Sequence, residues 1–312
     1  MQKRPLGATG IDVSEVGLGA WQLGNTTDWH GPDEAESHQI VKEALSLGIN
    51  FFDTAPNYAG GRSEQLLGRA LVGAPRDQIV LCTKYGHRPG GRTDFSASEI
   101  EDSVDHSLRT LGVDYLDVLL LHNPPAELHD GSAPHYAELD RLVEAGKLRA
   151  YGVSLDWAAD LDRVIDTTAS KACEVFFNAF HQEPLPAMER ARDRGVGLII
   201  KVPLDSGWLS GRYRRGATFD DIRSRWTPEQ LERRYTLLER FEAALPDGVS
   251  TSHGAMRFVL AQPSVSTVIP GSRTVEQLRD SVASADQPLP AETVAAIRAL
   301  WEEELAAAPL GW

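Results

Sequence analysis

Four polar side chains lie at or just after the ends of three apolar segments: Asp53, Tyr58, Lys84 and His122. The segments INFFD, IVLCTK and YLDVLLLH are short and aliphatic or aromatic, which is typical of strands buried in a parallel sheet. The carboxyl ends of parallel strands share one edge of the sheet, so side chains far apart in sequence can line one pocket. The sequence therefore predicts that a carboxylate, a phenol, an ammonium and an imidazole meet there.

Such a set could protonate the alkoxide that forms when a hydride adds to a carbonyl. Tyr58 is the predicted proton donor, and because tyrosine ordinarily has a pKa of about 10, we expect Lys84 to lower it and Asp53 to hold the ammonium charged. His122 would donate a hydrogen bond to the carbonyl oxygen. Each residue alone has a structural explanation, as a cap, a packed ring, a solvated cation or a core histidine, and only their joint placement favours chemistry.

The elements that must position these residues alternate between strand-like and helix-like stretches. An opening hairpin turns at Gly7 to Gly10, and eight strands follow. This pattern predicts the α/β class and a (β/α)8 TIM barrel with an N-terminal β-hairpin, forming one domain over residues 1–312. The predicted strands are Val13–Gly19, Ile49–Asp53, Ile79–Thr83, Tyr115–Leu121, Ala150–Ser154, Ala172–Phe177, Gly197–Val202 and Ser266–Pro270.

Helix boundaries are marked by caps and by glycines. Asp33 precedes a run that ends at Gly48, and Ser96-Ala-Ser-Glu99 is a capping box before the next helix. Gly48, Gly112, Gly146 and Gly195 stand where helices are expected to stop. The long loop after strand seven runs from Val202 to Ser266 and holds the basic cluster Arg212–Arg215 and a helical stretch over Pro228–Leu245. We interpret it as a lid over a ligand.

Composition excludes several classes of partner. A formal net charge of −14 argues against a nucleic-acid or membrane-surface binder. Cys82 and Cys173 lie inside apolar runs, which indicates reduced core thiols rather than a disulfide or a metal site. The N-terminus lacks the apolar stretch of a secretory signal and no segment is as long as a membrane span, so we expect a soluble cytoplasmic protein.

Several common catalytic and nucleotide-binding motifs are missing from the sequence. There is no GxSxG elbow, the histidines lack zinc-ligand spacing, and neither GxGxxG nor GxxxxGK[ST] occurs. We therefore expect no metal, and any dinucleotide must be bound by something other than those glycine loops.

Longer motifs carry a resemblance to a known family. In order, the chain contains GLGAWQLG, FFDTAPNYAGGRSEQLLGRAL, VLCTK, SLRTLGVDYLDVLLLHNP, GKLRAYGVS, PLDSGWLSG and VIPGSRTVEQLRDS. These motifs resemble the aldo-keto reductase superfamily of NAD(P)H-dependent oxidoreductases over nearly the whole length. The resemblance implies that Asp53, Tyr58, Lys84 and His122 are the catalytic tetrad, with Tyr58 as general acid and hydride from the nicotinamide C4.

The resemblance also implies a set of cofactor contacts. Ser272 and Arg273 match residues that bind the adenosine 2′-phosphate, so NADPH is expected in preference to NADH. A guanidinium at a helix N-terminus suits a phosphomonoester. Gln277 matches an adenine contact, but Thr274-x-x-Gln277 is also a capping box, and both interpretations stay open. The remaining implied contacts are Ser154, Glu174, Asn178, Pro203, Leu204, Gly207, Leu209, Gly211 and Asp280.

Two features of this chain bear on the substrate and the cofactor. Glu174 stands where the family commonly has a glutamine directed at the nicotinamide carboxamide, and an ionised carboxylate cannot donate to that carbonyl. Aromatic residues on the rim loops could wall a pocket for a ring-shaped substrate such as a sugar, or could instead fasten the loops to the barrel. The candidates are Trp21, Trp29, Tyr85 and Trp208, with Trp157 and Trp226 less directly placed.

Three functions are compatible with these features. The first is a reversible NADPH-dependent reductase of small carbonyl compounds, or in reverse an alcohol or sugar dehydrogenase. The second is a cofactor-binding regulatory subunit resembling the potassium-channel β subunits. The third, a lyase or isomerase on the same barrel, would not need the Ser272–Arg273 anchor. The sequence does not specify the native substrate, the physiological direction or the oligomeric state.

Overall fold

A computed structural model describes residues 1–26, 30–220 and 222–311, and it contains a parallel barrel. Eight parallel strands form one sheet in chain order, and bridges Val16–Val268 and Gly19–Gly271 join the first strand to the last. The eight strands are β3 (Leu18–Gly19), β4 (Phe51–Asp53), β5 (Val80–Tyr85), β6 (Leu116–His122), β7 (Leu148–Leu155), β8 (Ala172–Phe176), β9 (Gly197–Lys201) and β10 (Val265–Val268). The predicted (β/α)8 barrel is confirmed.

The N-terminal hairpin closes the end of the barrel where the strands begin. Its strands are β1 (Lys3–Pro5) and β2 (Asp12–Ser14), paired antiparallel. Gly7 has a φ of +54°, and a Cβ there would lie 2.3 Å from the backbone nitrogen of Gly197. Only glycine allows the hairpin to approach the start of β9 so closely.

Helices cover the outside of the sheet and begin and end largely where the sequence predicts. Asp33 caps the first helix by accepting the Glu36 N–H at 2.8 Å, and Gly48, Gly112 and Gly195 have positive φ just after helices. The helices are α1 (Glu34–Ser46), α2 (Arg62–Leu71), α3 (Ile100–Leu111), α4 (Pro134–Glu144), α5 (Ala158–Thr167), α6 (Leu185–Asp193), α7 (Pro228–Ala244), α8 (Thr251–Leu260), α9 (Val275–Ala283) and α10 (Ala291–Glu304).

Alternation along the strands separates two layers of core. One set of strand residues faces the helices, as Phe52, Leu81 and Leu119 do. The other set fills the barrel interior together with the hairpin. Because neighbours along a strand point to opposite faces, the residue two positions after an interior side chain points into the barrel as well. The interior set includes Phe51, Val80, Cys82, Val118, Leu120, Ala172 and Ile199, and both cysteines are buried free thiols.

Two local predictions are wrong. Val13–Gly19 is not one strand, because Ser14 and Asn50 exchange backbone and side-chain hydrogen bonds of 2.6 and 3.2 Å that end β2 and redirect the chain into β3. Ser96 does not form a capping box. Its side chain makes no cap hydrogen bond, and a 3-10 turn over Ala97–Glu99 precedes α3.

The long segment after β9 contains more regular structure than the sequence suggested. The helix from Pro228 is confirmed, and α8 follows it. Two arginines of the basic cluster dock this segment onto α7, Arg215 through ion pairs with Glu232 and Glu239 and Arg214 through Glu242. Among the described residues, no helix combines the length and the apolarity that crossing a membrane requires.

Candidate active site

A layer of polar residues lies directly above the apolar barrel interior, where the strands end. Asp53, Lys84, His122, Glu174 and Lys201 each occur two positions after an interior apolar residue, so the pleat turns all five inward. The residues beneath them are Phe51, Cys82, Leu120, Ala172 and Ile199. The predicted carboxylate, ammonium and imidazole are therefore brought together by strand geometry, and a second carboxylate and a second ammonium join them.

Lys84 lies at the centre of this layer and is completely buried. Its Nζ donates to both carboxylate oxygens of Asp53, at 2.6 and 2.7 Å, and to the carbonyl oxygen of Thr54 at 3.1 Å. Glu174 Oε2 lies 3.1 Å from the same nitrogen. Burial alone would lower the pKa of Lys84, but the two carboxylates raise it well above its ordinary value. The ammonium is therefore charged at any physiological pH.

Tyr58 begins a 3-10 turn that follows β4 and faces Lys84 and His122. The turn spans Tyr58–Gly61 and includes Ala59 with a φ of +50°. The Lys84 ammonium lies 5.0 Å from the Tyr58 ring centroid. The His122 ring stands edge-on to the phenol, with 5.7 Å between centroids. The phenol, the ammonium and the imidazole thus form one constellation at the predicted position.

The pKa values of the phenol and the imidazole keep both groups neutral. Burial raises the pKa of Tyr58 above its ordinary value, and the opposing charge of Lys84 only reduces that rise. Lys84 thus acts in the predicted direction, but desolvation outweighs the ammonium, so the pKa of Tyr58 is raised overall. Burial, followed by the charges of Lys84 and Lys201, holds the pKa of His122 well below its ordinary range. Tyr58 is therefore a phenol and His122 an uncharged imidazole near neutrality.

A network of hydrogen bonds extends from Glu174 to the rim. Ser154 Oγ donates to Glu174 Oε1 at 3.0 Å, and Lys201 Nζ donates to Ser154 Oγ at 2.9 Å. Lys201 also pairs with Asp156 at 2.8 Å and donates to Asn123 Oδ1 at 3.0 Å. Asn123 directly follows His122 and has a φ of +47°. Strained backbone beside reactive groups is common in functional sites.

One cleft of about 1120 Å³ leads from this constellation across the barrel mouth to the start of α9. Tyr58 and His122 lie at one end, and Arg273 lies at the other. Several buried polar atoms in or beside the cleft lack a hydrogen-bond partner among the described residues, and a bound polar ligand would satisfy them. They are Gln22 Oε1, Asn57 Oδ1, His122 Nδ1, Glu174 Oε2, Ser206 Oγ and Ser272 Oγ.

Hydrogen bonds at the start of α9 bear on the two open interpretations of Gln277. Thr274 caps the helix by accepting the Gln277 N–H at 3.2 Å, and Gln277 Oε1 accepts the Arg273 N–H at 2.9 Å. Only half of the capping box is formed, because the Gln277 side chain accepts from the residue before the N-cap, and both interpretations of Gln277 stay open. Arg273 is only partly buried and lines the cleft beside the free amides of the first helical turn.

The other predicted cofactor residues divide into two groups. One group lines the cleft and comprises Glu174, Pro203, Leu204, Gly207 and Asp280. The second group lies beneath or beside the cleft wall and comprises Ser154, Asn178, Leu209, Gly211 and Ser272. Asn178 has a structural role there, since its side chain donates to the Val202 carbonyl oxygen at 3.0 Å and accepts the Phe180 N–H at 2.8 Å.

The aromatic candidates are less uniform than predicted. Trp21 lines the cleft, with its ring 6.3 Å from that of Tyr58. Tyr85 is buried and its hydroxyl donates to the Ser96 carbonyl oxygen at 2.6 Å, so it supports a loop instead of forming a substrate wall. Trp29 lies outside the described residues.

Trp208 is completely buried and is not one of the residues that line the cleft. Its ring packs 5.7 Å from that of Trp226 and 5.2 Å from that of Tyr235. The proposed substrate-facing role of Trp208 is therefore wrong, because the segment after β9 folds its indole against α7. Trp157 is half exposed and packs edge-on to His181, with 5.8 Å between centroids.

Sequence reasoning missed several residues that line the cleft. Lys201 ends the apolar strand β9, which is the signal that identified Asp53, Lys84 and His122. Asn123 is part of the LHNP segment. Further lining residues come from loops, among them Gln22, Asn57, His87, Asp156, Tyr213, Arg223 and Arg212 of the basic cluster. Among the described residues, no cluster of three or more potential ligands could hold a metal ion.

Comparison with known proteins agrees with this arrangement. The sequence profile of the Aldo/keto reductase family matches residues 15–302. The structure of the aldo-keto reductase AKR11C1 from Bacillus halodurans, in its holo form, superposes with a TM-score of 0.82. It is 28% identical in sequence, and the match covers 96% of each chain. A barrel oxidoreductase is thus the class that the fold and the site define.

Two curated relatives have different functions in their names. The NADH-specific methylglyoxal reductase of Escherichia coli (strain K12) is 30% identical over 319 residues, covering 91% of this chain and 93% of that protein. A probable voltage-gated potassium channel subunit beta of Arabidopsis thaliana is 29% identical over 314 residues, covering 92% of each. This chain belongs to the aldo/keto reductase family, whose members are NAD(P)H-dependent oxidoreductases acting on carbonyl and alcohol groups.

Proposed function

We propose that residues 1–312 act as one domain that reduces a small aldehyde or ketone with NADPH, and that oxidises an alcohol or sugar in the reverse direction. The observation that carries this proposal is the continuous cleft joining Tyr58 and His122 to Arg273 at the start of α9. The net charge of −14 favours a small-molecule partner over nucleic acid, and we place the protein in the cytoplasm.

The residues around Tyr58 support proton transfer to the substrate oxygen. When bound at this end of the cleft, a reduced nicotinamide supplies the hydride. Tyr58 keeps its proton because burial raises its pKa, and it donates that proton to the carbonyl oxygen as this oxygen becomes negative. Uncharged His122 donates an N–H to the same oxygen. The Lys84 ammonium, 5.0 Å from the phenol ring, then stabilises the tyrosinate.

The cofactor would extend along the cleft over residues of four elements. Ser154, Glu174 and Asn178 would lie near the carboxamide, and Pro203, Leu204 and Gly207 along the pyrophosphate. Leu209, Gly211 and Ser272 would support these contacts from beneath, and Gln277 and Asp280 would lie near the adenine. Arg273 would bind the 2′-phosphate, which is the basis for proposing NADPH although one relative is named as NADH-specific.

The proposal is tested by titrating the protein with NADPH and NADH and by following NADPH absorbance with a panel of aldehydes. The wild type should bind NADPH more tightly than NADH and oxidise it when an aldehyde is present. Tyr58→Phe should keep the NADPH affinity and lose turnover by about 10²- to 10⁴-fold, because the ring remains while the proton donor is gone. Full turnover in Tyr58→Phe would disprove the assigned acid, and absence of NADPH binding would disprove the function.

A second function, that of a regulatory subunit, is favoured by the similarity to the potassium channel subunit beta. A regulatory subunit of this fold would bind the cofactor and retain the Tyr58 constellation without rapid turnover. Tight NADPH binding combined with negligible NADPH oxidation across the aldehyde panel would favour this function over the reductase.

A further inference from the structure

Two buried carboxylates share one ammonium in the polar layer. Asp53 and Glu174 both contact Lys84 Nζ, at 2.6 and 3.1 Å, and both are nearly inaccessible to solvent. Because both carboxylates lie against the same nitrogen, each affects the pKa of the other. Glu174 Oε2 makes the 3.1 Å ion pair with Lys84 but no hydrogen bond with any described residue. A single proton placed between the two carboxyls satisfies this atom and reduces the local charge of the pair to −1.

Other groups facing the pair offset its negative charge only in part. Lys201 Nζ is 4.0 Å from Glu174 Oε1, but it forms its own ion pair with Asp156 at 2.8 Å. His122 is uncharged because burial lowers its pKa. The remaining titratable groups around the layer are Tyr58 and Cys82, whose pKa values are raised by burial, and Glu64, whose pKa is raised by burial and which accepts from Thr83 at 2.7 Å.

We propose that Asp53 and Glu174 hold one shared proton in the unliganded protein and release it when a positively charged ring binds in the cleft beside them. This inference rests on the proposed function, because the oxidised nicotinamide is such a ring and the reduced one is neutral. Glu174 is then a specificity-determining residue, because it makes the relative affinity for the oxidised and reduced cofactors depend on pH.

The charges balance in each state. Without ligand, the Lys84 ammonium and the singly protonated pair sum to zero. When the oxidised ring binds, the proton leaves to solvent, and the doubly ionised pair balances Lys84 and the ring. When the neutral reduced ring binds, the pair keeps its proton. A glutamine at position 174 could not hold or release the second charge.

The pH at which the effect operates follows from the ionisation of the free pair. Burial, then the charge of Glu174, raises the pKa of Asp53 to about 8, whereas Lys84 and Lys201 outweigh burial and lower the pKa of Glu174. Below about pH 8 the free pair is protonated, so NADP⁺ binding must expel a proton and becomes tighter as pH rises. The ratio of the Kd of NADP⁺ to that of NADPH should fall by up to about tenfold per pH unit.

The experiment measures proton release directly. Titration calorimetry near pH 7 in two buffers of different ionisation enthalpy should give about one proton released for NADP⁺ and close to none for NADPH. The 2′-phosphate and the adenine are common to both cofactors, so their titration cancels in the comparison. Fluorescence titrations from about pH 6.5 to about pH 8.5 should give the predicted fall in the Kd ratio.

Three variants locate the proton. Glu174→Gln should abolish the difference in proton release and make the Kd ratio independent of pH. Asp53→Asn removes the other half of the pair and should do the same, which keeps the test valid if one of the two variants does not fold. Tyr58→Phe is the matched control: it should retain the difference, because its missing hydroxyl is not the source of the proton.

The outcomes separate this inference from the proposed function. Equal proton release with NADP⁺ and NADPH in the wild type would overturn the inference alone. So would persistence of the NADP⁺-linked release in a folded Glu174→Gln variant. Absence of binding by both cofactors would overturn the proposed function and the inference with it.

Discussion

Buried carboxylates at the two ends of the barrel differ in how completely their oxygens are hydrogen-bonded. At the hairpin end, Asp117 is fully buried and both of its oxygens are used. It accepts the Leu81 N–H at 2.9 Å and pairs with Arg76 and Arg149 at 2.8 and 2.7 Å. At the cleft end, two acids share Lys84, and Glu174 Oε2 makes an ion pair with it but no hydrogen bond with any described residue. In the first arrangement the protein satisfies both carboxylate oxygens, and in the second an oxygen can still accept a hydrogen bond from a ligand.

Backbone conformation follows the same division. Among the described residues, the non-glycine positions with positive φ all lie in loops at the cleft end: Ala59, Asn123, Val202, Asp205 and Ser206. At the hairpin end the corresponding tight turn is made by glycine at position 7. Because a left-handed conformation costs free energy for any side chain other than glycine, the cleft end stores strain that the rest of the barrel must support.

The largest expected effect comes from removing the cation at the cleft end. Lys84→Met should lower kcat/KM by about 10²- to 10⁴-fold, because the tyrosinate loses its stabilising charge. The measurement is NADPH oxidation with the best aldehyde of the panel. Circular dichroism of the variant should be unchanged, and activity close to that of the wild type would mean that Lys84 has a purely structural role.

The same variant has a predicted pH signature in stability. Without Lys84, burial keeps the pKa values of Asp53 and Glu174 above those in the unfolded chain, so the folded state binds more protons. The stabilisation that these two protonated acids contribute is full at a pH below their pKa values in the unfolded chain. It is lost as the pH rises through their pKa values in the folded protein. The difference in Tm between wild type and Lys84→Met should widen from about pH 5 to about pH 8. A difference in Tm that stays constant with pH would contradict the predicted rise of the two carboxyl pKa values in the variant.

A smaller effect, on stability alone, is expected at the hairpin end. Asp117→Ala should lower the free energy of unfolding by about 3 kcal/mol, because the Leu81 N–H is left buried without a partner and two charge-assisted bonds are lost. Turnover per folded molecule should be unchanged. Urea denaturation and steady-state assays measure the two quantities. Asp114→Ala, which replaces an exposed acid nearby, is the matched control and should stay within about 0.5 kcal/mol of wild type.

The smallest effect concerns stored backbone strain. Asn123→Ala and Asn123→Gly both remove the same side-chain hydrogen bonds, but only alanine keeps a Cβ at a φ of +47°. The glycine variant should therefore be more stable than the alanine variant by about 1 kcal/mol. The order should reverse at Lys3, an exposed strand position of the hairpin, where glycine only adds flexibility. Thermal unfolding of the four variants measures both differences, and the same order at both positions would argue against strain.

The sequence predicts what depends on periodicity and on strand ends. Asp53, Lys84 and His122 were found because each terminates an apolar run, and Lys201 satisfies the same criterion. The barrel and its hairpin follow from the alternation of elements and from Gly7 and Gly10. These features depend on local patterns. Residues that end parallel strands lie at the same edge of the sheet, so a local pattern is enough to predict that they are neighbours.

What could not be predicted depends on how much each group is buried. The net shift of the Tyr58 pKa could not be predicted, because the sequence shows the neighbouring charge of Lys84 but not the desolvation that outweighs it. Trp208 was misplaced because an indole in a glycine-containing loop has no periodicity that indicates which surface it will cover. The contact between Glu174 and Lys84 joins β8 to β5 across the barrel, and no sequence spacing encodes it.

The polar layer has a consequence for how this protein can evolve. Each of its five side chains is held by a different strand, and the apolar residue two positions earlier anchors that strand independently of the others. One codon change can therefore alter one charge of the layer while the remaining geometry is inherited intact. An exchange of glutamate for glutamine at position 174 would be such a step, because it changes one charge of the layer and keeps the length of the side chain.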